Sequence, residues 1–312
     1  MDMDNNKIKV LYISGWGRSG STILARILGQ IDGFFHGGEL RTIWVDGLKP
    51  NGLCGCGVLV RECSVWKAIC DRAFGGIDKI DPPEITRLQR SSEPRTQEAL
   101  LARFLPNVRS KLKSRLENYH AILDKLYRAI HEVTGSRVIV DDSNHPGYAY
   151  TLSMMPGIDL YIVHLIRDPR ATAYSWSQRQ KKGLGTYTIR DNSLGWNIRN
   201  LVTESLSRTV SGKYLRLFYE DFAAKPKLAI QQILNLLEEQ PSQLPFVSEN
   251  EVRLGISHSV FGNPNRTDNG TVTIKLDDEW KKKLDKSDRT TVTTLTFPLL
   301  LKYGYFGVMG DR

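Results

Sequence analysis

Residues 15–22, Gly15-Trp16-Gly17-Arg18-Ser19-Gly20-Ser21-Thr22, follow an apolar run at 10–13 and precede a helix-like segment at 23–30. A nucleotide phosphate loop reads G-x-x-x-x-G-K-[ST]. Here Gly15 and Gly20 hold the glycine positions, Thr22 holds the hydroxyl position, and Ser21 stands where that pattern has lysine. Free backbone N–H groups at a helix start, together with the helix dipole, still suit the loop to an anion. Arg18 supplies the positive charge from inside the loop, which implies an anion geometry different from that of ATP.

Outward from this stretch, residues 8–14, 137–140, 159–166 and 213–218 read as short aliphatic strands, each followed by a turn and a helix-like segment. Alternation of this kind predicts an α/β fold of the P-loop-like, three-layer type, a parallel sheet flanked by helices, with ligands at the carboxyl ends of the strands. A single domain over 1–312 is expected, carrying a mainly helical insert at about 38–135, where Leu, Arg and Glu recur at helical spacing between Pro82-Pro83 and Pro106. Residues 228–237 and 280–301 also read as helical, and 242–270 as irregular.

The chain has 312 residues, 40% of them hydrophobic, and a net charge of +9. This supports a buried core but provides no dense basic stripe, so nucleic acid is not an expected partner. No apolar run reaches the roughly 18 residues of a membrane span. The polar start MDMDNNKIKV lacks a signal-peptide core, and a cytoplasmic location is the default expectation.

A second constellation follows the strand at 159–166. Arg167-Asp168-Pro169-Arg170 leads into a helix at 171–181, with proline suited to its first turn. On that helix Ser175 and Arg179 share a face, and Arg167 sits beside its start. Arginine forks beside a hydroxyl are suited to a phosphate.

These two stretches resemble the sulfotransferases that use 3′-phosphoadenosine 5′-phosphosulfate (PAPS), in their carbohydrate and tyrosylprotein branch and of bacterial type. Arg18-Ser19-Gly20-Ser21-Thr22 matches the family run R-S-G-[ST]-T, which implies contact with the 5′-phosphosulfate. Arg167 with Ser175 matches the family's arginine and serine on the 3′-phosphate, and Arg179 matches a further cofactor-binding arginine. Tyr219-Glu220-Asp221-Phe222 is similar to the family's Y-E-D-L, which brings Tyr219 near the nucleotide. Gly262-Asn263-Pro264 with Arg266 resembles a C-terminal element that closes over the 3′-phosphate. The resemblance implies transfer of a sulfuryl group to a hydroxyl or amine of a glycan or small-molecule acceptor, with no metal and with PAP as the product.

For the general base, the resemblance favours Glu39 in Gly38-Glu39-Leu40-Arg41, with Arg41 orienting the acceptor or the base. His145, after the strand at 137–140, is the rival. Arg18 is the candidate for stabilising the leaving phosphate, because many relatives have a lysine at the position of Asn144. Trp16 and Trp44 are candidates for the acceptor pocket. Two further functions remain open: a P-loop kinase, for which Asp141 and Asp142 would hold magnesium, and a non-catalytic nucleotide-binding protein.

Cys54, Cys56, Cys63 and Cys70 crowd one window. Their C-x-C-x6-C-x6-C spacing is not the paired C-x2-C of common zinc sites, so reduced structural thiols are the first reading, with a disulfide and a metal left open. The Cys54-x-Cys56-Gly57 and Cys63-x-x-Trp66 pattern also looks like one in bacterial members of the family.

Overall fold

The computed structural model describes residues 7–102, 104–181, 187–210 and 212–306. The polar start at residues 1–6 lies outside the described residues. In chain order the elements are β1 (Ile8–Gly15), α1 (Ser21–Leu28), β2 (Phe34–Gly38), α2 (Ser64–Phe74), α3 (Pro82–Ser92), α4 (Thr96–Leu101), α5 (Pro106–Thr134), β3 (Val138–Asp141), α6 (Pro146–Ser153) and β4 (Ile158–Ile166). They continue with α7 (Pro169–Lys181), α8 (Ile189–Leu206), β5 (Tyr214–Phe218), α9 (Tyr219–Ala224), α10 (Pro226–Leu237), β6 (Glu251–Leu254), β7 (Gly270–Thr273), α11 (Trp280–Lys283) and α12 (Lys286–Lys302).

Five strands form one parallel sheet in the order β2-β3-β1-β4-β5. Side chains alternate across a strand, and β1 distributes them to two layers accordingly. Ile8, Val10 and Tyr12 pack toward α2 and α5, while Leu11 and Ile13 pack toward α1, α9 and α10. The long helix α5 meets the first layer through Leu112, Leu116, Tyr119, Leu123, Leu126 and Ile130, all buried and spaced by alternating steps of four and three. Truncating one such residue, Leu123→Ala for example, is expected to cost about 2–5 kcal/mol. The expected α/β architecture is therefore present, with four helices between β2 and β3.

Four elements differ from the sequence reading. Phe34–Gly38 is a strand, held by pairing with β3; FFHGG has no alternation and two glycines, so its identity comes from its neighbour. Helix α8 was not anticipated. Within the stretch read as irregular, Glu251–Leu254 is a strand, β6, which pairs as an antiparallel ribbon with β7 at and beyond the end of that stretch. The expected helix at 280–301 is two helices, broken at Leu284 and Asp285.

Strand β1 lies between β3 and β4, so the chain passes to opposite sides of it. The carboxyl ends of β1 and β4 flank the crevice that such a reversal opens. The two arginine-bearing stretches emerge at these ends.

Candidate active site

Gly20 makes the loop-to-helix turn possible. It caps α1 in the left-handed region at φ 89°, and a Cβ there would come within 2.8 Å of the Tyr219 ring. Arg18 is also left-handed, at φ 73°. Its Nε donates to the Ser175 hydroxyl at 3.0 Å, while Arg167 Nη1 donates to the Arg18 carbonyl at 2.9 Å. Arg167 also stacks 4.3 Å from the Tyr219 ring centroid and donates from Nη2 to the Asp277 carboxylate at 2.9 Å. Burial, with the nearby charges of Arg179 and Arg167, pulls the Arg18 guanidinium down to about 10. The loop thus gathers positive charge in a partly dehydrated place, an arrangement relieved by an anion.

These groups open onto a cavity of about 590 Å³, within the usual size of a small-molecule site. Arg18, Gly20, Ser21, Thr22, Arg167, Arg179 and Tyr219 all line it. Glu39 lines it too, half-buried at the end of β2. Its backbone N–H donates to the Val260 carbonyl at 3.2 Å and its carbonyl accepts from Thr42 Oγ1 at 2.9 Å, which fixes the residue at the rim. Burial pushes the Glu39 carboxyl up to about 8, reinforced by the carboxylates of Asp142, Asp141 and Asp46 and opposed by Arg199. Such a group is a competent base near neutral pH.

Arg199 is the contributor that sequence reasoning missed. It projects from α8 into the cavity, donates to the Asn144 carbonyl at 3.0 Å and lies 5.1 Å from the Trp16 ring centroid. A signal for its helix was available. Thr188 and Asp191 form a reciprocal capping box, with Asp191 N–H donating to Thr188 Oγ1 at 3.1 Å. Among the described residues neither Arg18 nor Arg199 makes an ion pair. Asn144, at φ 55°, also lines the cavity; its amide donates to Ser21 Oγ at 2.9 Å, and its Oδ1 is buried without a partner. Ser19 Oγ is likewise buried and unpartnered. Ser19 can donate from this hydroxyl, and an unpaired buried donor beside a cationic loop fits a bound oxyanion.

Other expected residues are placed elsewhere. Arg41 turns away to Glu93, Nε to Oε1 at 2.8 Å, and Trp44 is buried in the core, edge-on to Phe74; neither lines the cavity. His145 also stands behind the cavity wall, its Nδ1 2.9 Å from Glu93 Oε1. Tyr148 N–H lies 3.4 Å from the same nitrogen, but one nitrogen cannot both donate and accept, and the shorter, charge-assisted contact prevails. Burial lowers the His145 pKa, against the pull of Glu93. Arg266 donates to the Leu53 carbonyl at 2.7 Å and sits beside the cavity without lining it. Trp16 does line it, in a cluster with Trp176 and Tyr187.

Asp141 and Asp142, the residues a kinase would turn toward magnesium, do not reach the cavity. Asp141 accepts from Tyr127 and Ser143 in the interior, and Asp142 is 3.1 Å from His36 Nε2. Burial raises Asp141 to about 7.

A parallel sheet thus carries a glycine loop after β1 and an arginine after β4 to one cavity, and sequence comparison supplies the family. The profile of the sulfotransferase domain matches residues 9–288, and the chain belongs to that family. It is similar to the sulfotransferase domain from the curacin biosynthetic pathway, at 17% identity over 92% of this chain and 96% of that one, TM-score 0.48. It is also similar to the sulfotransferase domain of the Synechococcus PCC 7002 olefin synthase, at 18% identity over 96% of each chain, TM-score 0.48. A sulfotransferase from Alicyclobacillus acidocaldarius gives 14% identity over 92% and 95%, TM-score 0.41. No curated protein sequence matches. Among the described residues no helix is long and apolar enough to cross a membrane.

Proposed function

We propose that the protein, acting as one domain, transfers a sulfuryl group from PAPS to a hydroxyl or amine of a glycan or small-molecule acceptor. The observation that carries this reading is the convergence of Arg18, Arg167 and Ser175 on the glycine loop, linked by hydrogen bonds of 3.0 and 2.9 Å. Arg167 and Ser175, with Arg179, would grip the 3′-phosphate. The backbone of residues 19–22 would hold the 5′-phosphosulfate at the start of α1.

Arg18 leans toward Ser175, so the cation best situated for the transferring end is Arg199, beside Asn144 and in the field of Glu39. In this reading Glu39 takes the acceptor's proton as the acceptor oxygen or nitrogen bonds to sulfur. The bond from sulfur to the bridging phosphate oxygen breaks, and Arg199 meets the charge that builds on that oxygen. PAP departs as the bisphosphate, with no metal in the step. Trp176 and Tyr187, packed edge-on to one another, offer the acceptor an apolar wall.

Calorimetric titration with adenosine 3′,5′-bisphosphate tests the donor. Tight binding that persists in chelator supports the reading, whereas ATP binding that requires magnesium would replace it with a kinase. A screen of hydroxyl and amine acceptors with radiolabelled PAPS then identifies the product.

A further inference from the structure

Outside the donor cavity, the fold gathers three of the four cysteines around a histidine that the sequence reading did not connect with them. Cys54, Cys56, Cys63 and His258 bring one ligand atom each within 4.8 Å of all the others. Cys54 Sγ is 3.7 Å from Cys63 Sγ, and His258 Nδ1 is 3.3 Å from Cys63 Sγ and 4.0 Å from Cys54 Sγ. Tetrahedral zinc, with bonds of about 2.3 Å to sulfur and 2.0–2.1 Å to nitrogen, needs sulfur–sulfur separations of about 3.8 Å and sulfur–nitrogen separations of about 3.6 Å. The observed sulfur–sulfur distance of 3.7 Å lies close to the first value, and the sulfur–nitrogen distances of 3.3 and 4.0 Å bracket the second. We infer that these four residues form a structural zinc site of the Cys3His type.

The surrounding backbone supports this inference. Residues 53–59 form a tight knuckle in which Cys54 N–H donates to the Val58 carbonyl at 2.8 Å and Gly57 N–H to the Cys54 carbonyl at 3.0 Å. At Gly55 a Cβ would lie 2.6 Å from Ser257 Oγ, so glycine alone lets the knuckle seat on the extended segment carrying His258. Trp66 Nε1 donates to the His258 carbonyl at 2.6 Å and fixes that residue from behind. Three thiolates, zinc(II) and a neutral imidazole leave a singly negative centre, and Arg266 anchors its positive charge on Leu53 alongside.

The site has a structural consequence. His258 leads to Val260, which pairs with Gly38 and Cys54 and bonds Glu39, and then to Phe261 and Gly262 in the cavity wall. A metal here would tie the rim that carries Glu39 to segments about 200 positions away in sequence, at a point where the strand pairing consists only of isolated bridges. Cys70 lies outside the cluster and serves as the internal control.

The test is the metal content of the full chain, purified without chelator and measured by plasma mass spectrometry, with no donor or acceptor present, so the result is independent of the sulfotransferase reading. About one equivalent of zinc per chain is expected, as a closed four-ligand site requires. Zinc should fall to trace in Cys56→Ser and His258→Ala and be retained in Cys70→Ser. Cobalt(II) added to the reduced, zinc-free parent should give the thiolate charge-transfer and visible bands of a tetrahedral sulfur site. Because Cys56 is half-buried, its variant is the least exposed to misfolding, and the cobalt spectrum of the parent needs no variant. A parent that neither carries zinc nor develops the cobalt–thiolate band overturns the inference. So does a Cys54–Cys63 disulfide found by non-reducing mass spectrometry of the fresh protein.

Discussion

Arg167 and Arg18, 149 positions apart, are joined by a 2.9 Å hydrogen bond from the guanidinium of one to the backbone carbonyl of the other. The bond crosses the crevice between the ends of β4 and β1, making two phosphate-type stretches of sequence into one site. It also restrains the left-handed Arg18 backbone, a conformation that L-residues disfavour.

Arg167→Ala is accordingly expected to weaken adenosine 3′,5′-bisphosphate binding by about 1.5–3 kcal/mol, the scale of a hydrogen bond to a charged group. Calorimetry on the folded variant reads this directly. An unchanged dissociation constant would remove Arg167 from the donor site.

Asp277 now holds the other face of that guanidinium, 2.9 Å from Nη2, with its side chain 47% exposed. A bisphosphate must compete with this carboxylate. Asp277→Asn should tighten bisphosphate binding by up to about 1 kcal/mol, because solvent screening of the half-exposed carboxylate limits what the pair contributes. Weaker binding would instead show that Asp277 holds Arg167 in its working orientation.

Glu39→Gln should abolish turnover while leaving bisphosphate affinity intact. In the parent, the base is active only as the carboxylate, and its pKa is raised to about 8. The kcat/KM profile should therefore climb with pH through that value and level off above it. The same group makes stability run the other way. Its folded-state pKa lies above the unfolded value, so its contribution is complete at low pH and is lost as pH rises through about 8. A rate that is flat across this window would assign the proton transfer to another group.

Arg199→Ala should lower turnover by about 10²-fold, as losing one donor to developing charge does elsewhere, with a smaller loss of donor affinity. Because Arg199 opposes the upward shift of Glu39, its removal should also move the rising limb of the profile to higher pH. A role confined to packing against Trp16 would lower thermal stability and leave that limb in place.

His145→Asn should keep turnover close to the parent's and reduce stability by about 1–3 kcal/mol, because Glu93 loses a charge-assisted partner inside the protein. Thermal unfolding and steady-state rates measured together check this. A folded variant with no turnover would return the base role to His145.

The glycine loop, the arginine after β4 and the parallel character of the sheet were legible in sequence, because each depends on local pattern: glycine where φ is positive, proline at a helix start, aliphatic runs of buried strand length. Neither α8 nor β2 was legible in that way. The capping box before α8 went unread, and Phe34–Gly38 becomes a strand only through its pairing with β3. Of the two candidate bases, both sit in plausible motifs, yet packing puts Glu39 on the cavity and His145 on Glu93 behind it.

The sequence by itself determined which residue types stand at the sheet's carboxyl edge, since backbone conformation and hydrophobic period are written locally. The tertiary structure alone decided their chemistry. Whether a carboxyl titrates near 4 or near 8 depends on the burial and charge brought by distant segments. Whether three thiols become ligands depends on a histidine 195 positions from one of them, and no spacing rule spans that gap.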